Sequence, residues 1–209
     1  MKTLPGETSI RDFLAAVASA EEAHGAVSAA AVAGGIGVSL LAMVAALPKT
    51  RSDSAVDRLQ LTQTATALSD VQEQLIETIE TETAVKIFAA RNMPQASQAQ
   101  RSEREAAIQL ALRAAAEVPL EAMRLCVRGL KLAESVAAHG ARAASADVQL
   151  GVALLHAAFS GARANLEGKL SSLTNAPYIT SVVEEIARLS EEATSATRAA
   201  ELPLQVPPV

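Results

Sequence analysis

Two carboxylates have neighbours that suit proton transfer. Glu82 lies seven residues after Leu75 and three after Ile79, so it continues a helical stripe of apolar side chains. Lys86 follows one turn later on the same face. An acid and a base four residues apart are ordinarily a solvated pair worth roughly a few tenths of a kcal/mol. Set in an apolar stripe they would be partly desolvated, with a shifted pKa, and a carboxylate of that kind can take and return a proton. Asp147 follows the break at Gly140, where an acid also complements the positive end of a helix. His24 falls in a turn and titrates near neutrality, so it is either a base or an incidental turn histidine. Asn165, between Ala164 and Leu166, is either a surface amide or an orienting group. Lys169, one turn on, is a surface cation or a partner for an anionic tail or a reacting carbonyl. Ser28 can cap a helix or touch a ligand, and Arg104 can pair with an acid or an anion.

Metal chemistry is not expected. The three histidines (His24, His139, His156) and Cys126 show no ligand spacing such as HxxxH or HExxH. Cys126 stands alone in an apolar helical run, so it reads as a buried structural thiol and excludes an intrachain disulfide. A net charge of −5 and a pI near 5.3 argue against a nucleic-acid surface.

The elements that must position these residues are helices. Half of the 209 residues are apolar but only 2% are aromatic, and alanine dominates, a composition for close helix packing. Ser9 caps a short helix with Ile10, Phe13, Leu14 and Val17 on one side. After a break at His24-Gly25, Ala26 to Leu47 is a 22-residue stretch without charge. It is long enough to span a bilayer. Over half of it is Ala, Gly and Ser, and it follows an acidic segment, so we expect a buried central helix and no membrane. Its Gly34, Gly35 and Gly37 point to close approach by another helix or by a ligand.

Ser52-Asp53-Ser54 is expected to cap one long helix from about residue 55 to 91, with Leu61, Leu68 and Leu75 at heptad spacing. That helix would be roughly 55 Å long at about 1.5 Å per residue. Its length suggests cover by a second subunit. Ser102 with Glu105 resembles a capping box. A fourth helix is expected to about Ala138, kinked at Pro119 and ended at His139-Gly140. A fifth covers about 144–173, Pro177 breaks it, and a sixth covers about 179–200. The expectation is an all-α bundle of five to six long helices, dimeric, as a single domain over 1–201. An extended proline-rich tail would occupy 202–209.

The order of these elements resembles the cyclodeaminase/cyclohydrolase family, which comprises the C-terminal domain of formiminotransferase-cyclodeaminase and methenyltetrahydrofolate cyclohydrolase. The resemblance spans roughly residues 10 to 187. It is carried by Ile10 to Leu14, Leu41 to Val44, Ala90 to Pro94, Arg104 with Ala107 to Leu112, and Glu117 to Leu120. Ala146 to Val148, Gly151 to Ala153 and Ala164 to Leu166 complete it. Several family motifs are altered. A Pro-Gly-Gly-Gly-Ser turn is here Ala23-His24-Gly25-Ala26-Val27-Ser28. An Asp-x-Asp-Ala is Thr81-Glu82-Thr83-Ala84, and a Gly-Asn-x-Asn is Gly140-Ala141-Arg142-Ala143. The second Asn of an Asn-Val-x-x-Asn falls at Lys169. Arg104, Gly140, Asp147 and Asn165 match.

The resemblance implies a cytoplasmic homodimer acting on a tetrahydrofolate derivative without a metal. The expected reaction is hydrolysis of 5,10-methenyltetrahydrofolate to 10-formyltetrahydrofolate, or formimino cyclodeamination. Glu82, Asp147 and His24 would be catalytic. Ser28, Lys86, Arg104, Asn165 and Lys169 would bind substrate. The altered motifs leave open a different one-carbon or iminium reaction on the same scaffold. The heptad stripe and the proline-rich tail leave open a non-catalytic assembly protein.

Overall fold

The computed structural model describes residues 9–19, 26–79 and 83–205. Those residues form seven α-helices: α1 Ile10–Ala18, α2 Ala26–Ala45, α3 Ala55–Ile79, α4 Thr83–Arg91, α5 Gln98–His139, α6 Ser145–Leu170 and α7 Ala176–Glu201. Single 3-10 turns follow at Arg142–Ala144 and Leu202–Leu204. Among the described residues there is no strand, only an isolated bridge between Thr50 and Gly140.

The uncharged helix is central. α2 packs on α6, α3 and α5. Its glycines explain how an Ala-rich helix is held so closely. A Cβ on Gly37 would lie 2.8 Å from the Gly151 carbonyl oxygen of α6, and one on Gly34 would lie 3.3 Å from Ala158 and Leu75. The helix-packing reading of the glycines therefore holds at Gly34 and Gly37, while Gly35 faces open space. Val38, Leu41 and Val44 are fully buried. α2 is long and apolar enough to cross a membrane by length and composition, yet this packing engages much of its surface.

The contacts fix helix directions. Gly37 meets Gly151 while Ala30 lies against Gly161, so α2 and α6 are antiparallel. Gly34 approaches Cys126, and Gly129 approaches Val38, so α5 runs with α2. Thr64 of α3 donates to Ser135 of α5 at 3.4 Å, and Asp70 lies 3.8 Å from Arg128, so α3 runs against α5. Three α5–α7 polar contacts share one sequence offset of 61. Tyr178 donates to Glu117 (2.8 Å), Arg124 to Glu185 (2.9 Å) and Lys131 to Glu192 (2.6 Å), so these helices are parallel and in register.

At one end, the near end, stand the start of α2, the end of α3, the end of α6 and the start of α7. The N-terminal third of α5 lies at this end and carries α4 as a helical hairpin. Arg104 Nε donates to the Arg91 carbonyl at 3.0 Å and ties the two together.

Several sequence expectations change in detail. In place of one helix across 55–91 there are α3 and α4, with 80–82 outside the described residues. Leu61, Leu68, Val71 and Leu75 do form a buried seam, but α2 and α5 of the same chain cover it. Helix length therefore no longer argues for a second subunit. The capping box lies at Ser97 with Gln100, five residues before Ser102, because Ser97 is the residue in extended conformation where the chain leaves the loop. α5 runs through Pro119. Gly140 ends α5 in an extended rather than left-handed conformation. Glycine is needed because a Cβ would sit 2.5 Å from the Val136 carbonyl oxygen. Pro177 occupies the first turn of α7, where its missing N–H costs nothing, and Asn175 is the N-cap. Leu202 to Leu204, placed in the extended tail, form a turn whose Pro203 carbonyl accepts from Arg51. Ser9 caps α1 as expected, accepting from the Asp12 N–H at 3.2 Å. Cys126 is buried, and burial pushes its thiol up to about 12. The break at His24-Gly25 lies outside the described residues.

Two outcomes follow. Gly37→Ala should cost about 1–3 kcal/mol, because the obstructing atom is backbone, whereas Gly35→Ala should gain about 0.5–1 kcal/mol in helix propensity. Urea unfolding of both variants measures the contrast. The Arg124 hydrogen bond holds Glu185 below the usual carboxylate range. Its contribution is thus present above the unfolded value of about 4.3 and fades as pH falls through the lower folded one. Glu185→Gln should cost about 1 kcal/mol at pH 7, discounted because Arg124 is partly exposed. The gap from the parent protein should close below about pH 4.

Candidate active site

The near end collects most of the sequence-predicted site residues. Ser28 is half-buried in the first turn of α2. Asn165 and Lys169 are half-buried near the end of α6, which packs antiparallel to α2. Lys86 and Arg104 sit on the α4–α5 hairpin at the same end. Glu82 and His24 lie outside the described residues. Glu82 falls in the chain between the end of α3 and the start of α4, and His24 falls just before α2.

Asp147 stands apart. It occupies the first turn of α6, eighteen positions before Asn165. At about 1.5 Å per residue that is roughly 27 Å along the helix, too far for both side chains to touch one small ligand within one chain. The helix-dipole account of Asp147 fits its place, since the N-cap Ala144 supplies no side-chain cap.

The individual environments differ in kind. Asn165 is the informative one. Its Oδ1 is buried and has no hydrogen-bond partner. A buried acceptor without a donor costs about 1–3 kcal/mol, so a ligand N–H there would relieve a standing penalty. Arg104 donates one of its five N–H groups, Nε, to the Arg91 carbonyl and so braces the hairpin. Lys86 is exposed rather than desolvated, and it lines a groove of about 460 Å³ between α4 and α5. A second cavity of about 270 Å³ lies between α6 and α7, with Phe159, Ser160 and Arg163 among its lining. There Arg163 is held by Glu167 at 2.8 Å. Among the described residues no group of three or more His, Cys, Asp or Glu is placed to hold a metal ion.

One cluster was not picked out from sequence. Tyr178 donates to Glu117 at 2.8 Å, and the Arg113 guanidinium stacks 4.3 Å above its ring. Burial, then the Glu117 bond, pushes the phenol up to about 12. These residues lie 61 and 65 positions apart, and no local pattern announces such a meeting. Only the shared α5–α7 offset, visible once the helices are paired, finds it. Nearby, Gln109 receives the Thr174 N–H at 3.0 Å and holds the α6–α7 loop to α5.

The described residues form an all-α bundle around a small-residue central helix, with the buried amide oxygen of Asn165 near one end. The comparisons make the family specific. The family model described as formiminotransferase-cyclodeaminase matches residues 9–188, and the chain belongs to that family. It is 27% identical to a protein of Methylorubrum extorquens named methenyltetrahydrofolate cyclohydrolase, over 91% of this chain and 92% of that one. It is 28% identical to formimidoyltransferase-cyclodeaminase of Gallus gallus over 87% of this chain, which spans only 34% of that longer protein. The fold matches a crystal structure of formiminotetrahydrofolate cyclodeaminase from Thermotoga maritima with a TM-score of 0.84 at 19% identity, covering 96% of this chain and 97% of that one.

Replacing Asn165 by Leu should leave the unliganded protein at least as stable, since the change deletes an unsatisfied buried acceptor. A thermal melt without ligand checks this, and a drop of several degrees would mean that the amide is satisfied in the free protein.

Proposed function

We propose that this protein acts in tetrahydrofolate one-carbon metabolism and hydrolyses 5,10-methenyltetrahydrofolate to 10-formyltetrahydrofolate. The observation that carries this is the end-to-end match with the Methylorubrum extorquens cyclohydrolase. The substrate is a delocalised cation on a five-membered ring. Water adds to the bridging carbon, a base takes a proton from that water, and the C–N5 bond then breaks as N5 is protonated. A carboxylate near the cation lowers the barrier and serves as the base. Glu82 suits this role because the described residues nearest to it in the chain, Ile79 and Thr83, end α3 and begin α4 at the end of the bundle that holds Asn165. Asn165 orients the pteridine through its free amide oxygen. Ser28 and Lys169 flank it, and Lys86 meets the anionic glutamate tail. His24, in the altered glycine turn, is a second base.

The enzyme is read as cytoplasmic and homodimeric, without metal, nucleic acid or membrane partners. The outward stripe of α2 supports the dimer. Ile36 is 51% exposed and Met43 43%, and Leu150 on the adjoining α6 is also exposed. A reaction on a formimino or methylene adduct is the second reading. The altered glycine turn and the lysine at position 169 favour it.

Calorimetric titration with 5-formyltetrahydrofolate, run beside an absorbance assay of methenyltetrahydrofolate hydrolysis, tests both. Binding with turnover supports hydrolysis, binding alone supports the second reading, and no binding removes both. Glu82→Gln should lower kcat by about 10²–10⁴-fold. Asp147→Asn should stay within a few-fold of the parent, as its distance from Asn165 requires. Full turnover in Glu82→Gln would overturn the carboxylate mechanism.

A further inference from the structure

α6 and α7 run antiparallel, each packed on α5, and a cavity of about 270 Å³ opens between them. That is just under the size, about 300 Å³, at which pockets for drug-sized ligands begin, so its ligand is small. α6 lines it with Ser160, Arg163 and Glu167, whose spacings of three and four put them on one helix face. α7 adds Ser190 and Thr194. Phe159 and Ala193, both buried, form an apolar floor. Asn165 lies two positions beyond Arg163, about 200° around the helix, and is not part of this lining.

The polar groups of the cavity have unused capacity of a definite kind. Ser160 donates to the His156 carbonyl (2.9 Å), Ser190 to the Ile186 carbonyl (2.6 Å) and Thr194 to the Ser190 carbonyl (2.8 Å). Each hydroxyl thus gives its one hydrogen to its own helix and keeps lone pairs to accept with. Arg163 Nε donates to Glu167 Oε1 at 2.8 Å, and Nη1 reaches Ser190 Oγ at 3.4 Å. The two Nη2 N–H groups of Arg163 and the Oε2 of Glu167 have no partner among the described residues. Arg163 is 46% and Glu167 48% exposed, so both can be reached from solvent.

We propose that this cavity binds a free α-amino acid with an apolar side chain. Its carboxylate meets the open edge of the Arg163 guanidinium. Its ammonium meets Glu167 Oε2 and the hydroxyl oxygens, and its side chain lies on Phe159 and Ala193. The charge pattern selects a zwitterion. A carboxylate alone is repelled by Glu167 and an amine alone by Arg163, whereas a ligand carrying both charges is opposed by neither. In an α-amino acid the two charged groups hang from one carbon, which matches an acceptor and a donor held as close together as Arg163 and Glu167. The site goes beyond the folate reading and does not depend on it.

Ligand-observed NMR titration of the full chain with L-alanine, L-leucine and L-phenylalanine tests this without folate. At least one of the three should bind with a Kd of about 1 mM or tighter. The amide of the best binder, which lacks the carboxylate, and its des-amino acid, which lacks the ammonium, should each bind at least tenfold more weakly. Arg163→Met and Glu167→Gln, both at exposed positions, should each weaken binding at least tenfold and leave the thermal melt unchanged. Asn165→Leu should bind the amino acid as the parent does. The proposal is overturned if none of the three saturates below about 10 mM, or if the des-amino acid binds as well as the amino acid. It is equally overturned if Arg163→Met keeps full affinity, or if Asn165→Leu abolishes binding. Folate turnover in a parent protein that binds no amino acid would overturn this site and leave the proposed hydrolysis standing.

Discussion

Everything in this bundle is placed relative to one contact without side chains, the crossing of α2 and α6 at Gly37 and Gly151. Each glycine's absent Cβ would fall within 3.0 Å of the other's carbonyl oxygen. Two helices that meet backbone to backbone lie closer than side chains would allow. Leu155 then fills the space beside the crossing, against Gly129 of α5 and Gly37 of α2. The crossing explains the charge-free α2: a helix so enclosed by α3, α5 and α6 has no place for a charge except on its outer stripe. The outer stripe is apolar too, with Ile36 and Met43 exposed, so the helix is long and apolar enough to cross a membrane by length and composition.

A different kind of seam joins α5 to α7. The contacts at Glu117–Tyr178, Arg124–Glu185 and Lys131–Glu192 repeat at seven-residue intervals along both helices. Each is partly solvated, so each contributes modestly. What the series adds is register. A shift of α7 along α5 would break all three pairs at once, in addition to disturbing the apolar seam beneath, with Leu120, Val182, Ile186 and Leu189. Glycine contact sets the distance at the centre, and polar pairing sets the alignment at the edge.

The helices were legible in the sequence because their signals are local. The heptad leucines, the uncharged stretch and the Ser9 cap each depend on residues within two turns. What was illegible depends on partners far along the chain. The Ser102–Glu105 pattern looked like a capping box, but Ser97 with Gln100 forms it, since the loop after Pro94 turns into helix earlier. The heptad seam correctly marked buried residues but could not say whose helices bury them. Lys86 was placed on the apolar stripe by counting from Leu75 as though one helix ran through, yet its side chain stands in solvent on α4. The pairing of Glu117 with Tyr178 carried no signal, because an offset of 61 has meaning only after two helices are paired.

The four positions that match the family's polar pattern can now be separated by cause. Gly140 has a structural reason, since a Cβ there would strike the Val136 carbonyl. Arg104 braces Arg91. Asp147 complements the start of α6. Each of those three has a structural role within the fold. Asn165 is different, because the fold buries its amide oxygen and gives it no partner. A scaffold selected for stability alone would place an apolar residue on that turn of α6, beside the buried Leu166. The fold itself supplies no donor to that oxygen. It lies at the end of the bundle that also holds Ser28, Lys169 and the α4–α5 hairpin. Matches that the fold explains say little about chemistry. Asn165 is the match that the fold leaves unexplained, and it is the one on which the proposed mechanism draws.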